Sequence, residues 1–177
     1  MPIGAVTFFV LTIIAYLGFY HALREDSRSY ATLALATGMV GLVLAIVTRI
    51  SRIASVIALA DSYVKAAPGS AERAAATVGN TMTLNVFTWG ISTAEALIAI
   101  SFMLFGLSML RSNAFGKRLG WGGIIAGLVI LLIRPLPVAF EALRFLRPPA
   151  SFTVISILIF LLFAAWAARM LREARKR

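Results

Sequence analysis

The sequence predicts an all-α polytopic membrane protein, a bundle of five transmembrane helices, and three observations predict it. Five long apolar stretches fill most of the 177 residues. The composition is 60% hydrophobic and only 14% charged, with a mean hydropathy of +0.92, more apolar surface than a soluble core of this size can hide. The basic residues gather between and after the apolar stretches, as membrane flanks do beside anionic headgroups. The net charge of +10 therefore points to the lipid bilayer as partner and not to nucleic acid.

A spanning helix needs about 20 mostly apolar residues, since hydrocarbon roughly 30 Å thick is crossed at about 1.5 Å per residue. The first helix is expected over about 3–23. No Lys or Arg precedes it, its apolar run exceeds a signal-peptide core of about 7–15 residues, and its exit lacks a small-x-small cleavage site. It reads as a retained membrane helix. The charged turn Arg24, Glu25, Asp26, Ser27, Arg28 separates it from a second helix over about 30–48, whose helical character extends to about 64. Pro68, Gly69 and Ser70 signal a turn inside an exposed loop expected over about 65–80. Third, fourth and fifth helices are expected over about 82–110, 119–140 and 151–170, with a basic tail at 171–177, all in one integral membrane domain spanning 1–177.

With five spans the chain ends face opposite sides. A cytoplasmic C-terminus places ten of the 17 Lys and Arg residues inside: Arg24, Arg28, Arg111, Lys117, Arg118, Arg169, Arg172, Arg175, Lys176 and Arg177. The positive-inside rule thus favours an external N-terminus, with Arg49 and Arg52 the pair that fits least well.

Two stripes of small residues mark packing seams, because helices in lipid approach closely only through small or polar side chains. The second helix offers Ala34, Gly38, Gly41 and Ala45, and the fourth offers Gly116, Gly120, Gly123 and Gly127. The bland reading of both is intramolecular packing; a homodimer through Gly123 and Gly127 is the sharper one. On the third helix Asn85, Thr88, Ser92, Glu95 and Ala99 lie on one face, with Glu95 near the middle of the expected span. A carboxylate that deep is expected to be protonated, paired or beside water. Arg134 is its natural partner, seven residues beyond Gly127 and just before Pro135 and Pro137. A structural ion pair and an ion or ligand site are both readings of Asn85, Thr88, Ser92, Glu95 and Arg134.

Catalytic chemistry finds little support. Cysteine is absent, and His21 is the single histidine, placed at a helix end where an interfacial anchor explains it. There is no Walker loop, no Gly-x-Ser-x-Gly elbow and no His-Glu-x-x-His, so no cofactor, metal or catalytic residue is expected.

The run from Tyr20 to Arg24 followed by Tyr30 to Leu35, and the run Phe105 to Ser112 followed by Arg118 to Gly123, resemble the bacterial multi-pass family known as domain of unknown function 4386. The resemblance implies a helical fold in a bacterial inner membrane and no assigned activity. Members of that family carry about six spans, and this chain starts at what resembles their second helix. The expected function is a non-enzymatic membrane component, an assembly or accessory subunit, partnered by the bilayer and by a second copy or another membrane protein. The alternative is a small transporter or sensor with a site around Glu95. A lipid-modifying enzyme ranks third, and no internal repeat supports an inverted-repeat transporter.

Overall fold

The computed structural model describes residues 3–112, 115–133 and 135–139, together with Ala168 and Arg172. Among the described residues the chain is helical and without strands: α1 Ile3–Lys65, α2 Ala71–Arg111, α3 Lys117–Ile133 and the short α4 Pro135–Ala139. The fifth helix expected over 151–170 lies outside the described residues except for Ala168, so five spans are an expectation only.

Helix α1 is a hairpin. Ser27 leaves the helical region (φ −152°, ψ 62°), and the arms 3–26 and 28–65 fold back on each other. The reversal is visible in the contacts. Tyr16 lies against Gly38, and the Arg49 guanidinium sits 5.5 Å from the Phe9 ring centroid. The charged turn read from the sequence is therefore the bend itself.

Helix α2 then runs antiparallel to the second arm. Gly79 faces Leu59, Gly90 faces Thr48, and Gly41 faces the backbone and side chains of 94–98. At the bend the Ser112 hydroxyl donates to the Asp26 carboxylate, Ser27 and Ser108 share a hydroxyl–hydroxyl bond, and the Arg111 guanidinium lies 4.4 Å from the Tyr30 ring centroid. Helix α3 returns along α2, and α4 packs on both.

The loop expected over 65–80 is corrected: α2 begins at Ala71, and only the turn after Lys65 interrupts the helices. Ser70 caps α2 by accepting from the Arg73 backbone N–H at 3.2 Å, while Gly69 adopts φ +79°, a left-handed conformation glycine takes without penalty.

A central core joins the hairpin to α2. The Phe105 ring centroid lies 5.5 Å from those of both Tyr16 and Phe19, with Leu23, Phe102 and Met109 buried around them. The outward faces remain apolar: Val43, Val47, Ile50, Leu128 and Leu132 are exposed. By length and composition Phe9–Lys65 and Ala71–Arg111 are apolar enough to cross a membrane.

Candidate functional site: seams and a polar stripe

Small residues set how closely the helices approach. In the first seam Ala34, Gly38, Gly41 and Ala45 are all buried. A Cβ at Gly38 would strike the Tyr16 ring and stand 2.6 Å from Ser101 Oγ; one at Gly41 would stand 2.9 Å from the Ala94 carbonyl oxygen. The same approach lets Ser101 Oγ donate to the Ala34 carbonyl at 2.6 Å, a fully buried interhelical bond.

The second seam joins α3 to α2. A Cβ at Gly120 would meet the Gly106 carbonyl oxygen at 2.8 Å, one at Gly123 the Gly106 Cα at 3.2 Å, and one at Gly127 the Ala99 carbonyl oxygen at 2.5 Å. Gly106 completes the seam from the α2 side, where a Cβ would meet the Ile124 nitrogen at 2.8 Å. Gly116 departs from its expected place: it precedes α3, is exposed, and a Cβ there would meet nothing within 4 Å. The helical spacing that suggested it stops at Lys117, because the chain is still turning at Gly116. Gly123 and Gly127 are occupied by α2 contacts within the chain.

The polar stripe of α2 is graded along its length. Ala99 and Ser92 are buried, Glu95 and Thr88 are half-buried, and Asn85 is exposed. Thr88 Oγ1 donates back to the Leu84 carbonyl at 2.8 Å, a bond within its own helix. Glu95 is the one charged residue of α2 between Arg73 and Arg111. It stands one residue from Ala94, at the level of Gly41 on α1. Along α2 it lies roughly 24 Å from Arg111 at about 1.5 Å per residue, so it is nearer the Gly90–Thr48 contact than the bend. Because α2 starts well before position 82, Glu95 stands about one turn past the midpoint of Ala71–Arg111. Arg134 lies outside the described residues.

Arg49 and Arg52, singled out in the sequence only as the pair that fits the orientation least well, are placed by the fold on aromatic faces. Arg49 lies on Phe9 of the first arm, and the Arg52 guanidinium stands 4.7 Å from the Phe87 ring centroid of α2. Their three-residue spacing, directly after the charge-free run from Ser29 to Thr48, was the available signal. Among the described residues no three His, Cys, Asp or Glu side chains gather as a metal site. His21 is exposed on the first arm near the bend.

No curated protein and no solved structure matches the chain. The family model for Domain of unknown function (DUF4386) matches residues 3–166. With that match covering nearly the whole sequence, and an all-helical structure bearing membrane-length apolar helices beneath it, the chain belongs to the DUF4386 family.

Proposed function

We propose that this chain is a multi-pass, non-enzymatic component of a bacterial inner membrane, with its N-terminus outside and C-terminus inside, acting as an assembly or accessory subunit. The membrane part of the reading rests on how the charges are layered. The charged bend and the basic connection around Arg111, Lys117 and Arg118 meet at one end of the bundle. From Arg28 to Arg49 the second arm carries no charge, a length of roughly 30 Å at the helical rise, which matches the hydrocarbon thickness. Exposed Trp121 lies near the basic end and exposed Trp89 beside the Gly90–Thr48 contact, as interfacial aromatics do. On this reading Arg49 and Arg52 lie at the outer headgroup level, the side on which the positive-inside rule favours them least.

The observation that carries the accessory role is what continues beyond that level. The arm past Arg52 and the start of α2 form a helical hairpin projecting past the charge-free span. It exposes Ile57 (65%), Val64 (80%), Val78 (55%) and Met82 (63%), apolar surface that a partner protein would cover. A photo-crosslinking amino acid placed at Ile57 or Val78 in cells is expected to capture a second polypeptide. The same residue at Val43, on the outward face of the span, is the lipid-facing control. Equal capture at all three positions would sink the accessory reading.

A half-buried Glu95 beside buried Ser92, within the apolar part of α2, favours one further reading: an ion or ligand site of a small transporter or sensor. The antiparallel packing that sets Gly127 against Ala99 supports pairing Glu95 with Arg134 on the segment that follows. Thermal melts of Glu95→Gln, Arg134→Gln and the double variant in detergent separate the roles. A structural pair gives single-variant losses of about 3 kcal/mol and a double variant costing less than their sum. An unchanged or raised melting temperature for Glu95→Gln points to the ligand site.

A further inference from the structure

Where the projecting hairpin leaves the span, α1 and α2 together line a half-open groove of about 460 Å³. Its walls are chiefly apolar, from Leu44, Val47, Met82, Val86 and Phe87. Its polar groups are few: Arg52 with the hydroxyls of Thr48, Ser51 and Ser55 within two turns of α1, and Thr83 from α2. The Arg52 guanidinium lies over the Phe87 ring in a cation–π contact, which anchors it in the groove. Its Nη1 is shielded from solvent, yet among the described residues no hydrogen-bond acceptor reaches it. Neither Arg49 nor Arg52 forms a salt bridge among the described residues, and the nearest acidic side chain along α1, Asp61, is bound to Lys65 at 2.6 Å. A buried cationic donor without an acceptor is an arrangement that an anion completes.

We propose that this groove binds a phosphate oxyanion on Arg52, and that its carrier is an anionic phospholipid whose acyl chain lies along the apolar wall. The planar guanidinium matches phosphate geometry with two parallel donors, and the neighbouring hydroxyls supply further donors. A free phosphate would use the same donors but leave the apolar wall uncovered, which favours a lipid. The lipid assignment rests on the spanning orientation proposed above, whereas binding of a bare oxyanion at Arg52 does not, so the two fail separately.

The test uses the full chain purified in a neutral detergent, with binding read by native mass spectrometry and by the shift in melting temperature. The probes are phosphatidylglycerol, phosphatidylcholine and inorganic phosphate. Arg52→Gln removes the cation. Ser55→Phe fills the groove and leaves Arg52 in place, so it decides the matter should Arg52→Gln fold poorly. Arg118→Gln, exposed at the opposite end, reports general charge attraction. Phosphatidylglycerol is expected to bind the native chain and Arg118→Gln alike, and to bind both groove variants about tenfold or more weakly, the scale of one charge-assisted hydrogen bond. Inorganic phosphate producing the same Arg52-dependent shift would retain the oxyanion site and assign it a soluble phosphate ester. If both groove variants respond to every probe as Arg118→Gln does, the site does not exist.

Discussion

Glycine serves opposite ends at Gly38 and Gly18, both in α1. A side chain at Gly38 would collide with Tyr16 and Ser101, whereas a Cβ at Gly18 meets nothing within 4 Å. Gly38→Val should therefore force the hairpin arms and α2 apart and cost about 1–3 kcal/mol, as overpacked cores do. Gly18→Ala should be neutral or stabilise by up to about 1 kcal/mol, since it only restricts the unfolded backbone and improves helix propensity. Thermal melts of the two variants in one detergent check the contrast. Equal losses would mean that the hairpin does not close through Gly38. Most of this was legible beforehand, since the spacing of Ala34, Gly38, Gly41 and Ala45 marks a single face. What the spacing could not reveal is the occupant: Tyr16 from the preceding arm and Ser101 from α2 meet the same glycine.

At the scale of the element, the start of α2 shows where hydropathy misleads. Residues 71–81 are rich in Ala and Thr and carry Glu72, Arg73 and Asn80, so they do not read as a membrane span. A helix outside lipid does not need to be apolar, only capped and packed on one side. Ser70 supplies the cap, Ala76 is buried, and the Arg73 guanidinium lies 4.2 Å from the Tyr63 ring centroid on the opposing arm. Ser70→Ala should cost the first turns of α2 about 1 kcal/mol. Amide hydrogen exchange should quicken over 71–77 while protection near Phe105 stays as it was. Faster exchange throughout the core would show that the hairpin tip and the bundle unfold as one unit. The same reasoning explains α1 beyond Arg49, where the half-buried Arg52, Ser55, Val56 and Leu59 recur at helical spacing, with Arg52 and Leu59 packed on α2.

For the whole molecule, the decisive quantity is which charged ends share a side. The native chain has no cysteine, so single-cysteine variants report location without background. Ala67→Cys at the tip of the hairpin should react with an impermeant maleimide in intact cells. Glu25→Cys at the bend and Lys117→Cys at the start of α3 should react only after permeabilisation. Labelling of positions 25 and 67 from the same side would overturn the proposed orientation. Helical class, the reversal at 24–28 and the small-residue faces follow from local composition and periodicity, which one strand of sequence contains in full. The level of Glu95 against Gly41, the removal of Gly116 from its seam, the length of the projecting hairpin and the seat of Arg52 on Phe87 do not. Each depends on the antiparallel register between helices, and register is set by which backbones close on which glycines across the bundle, a relation between distant positions that no local pattern contains.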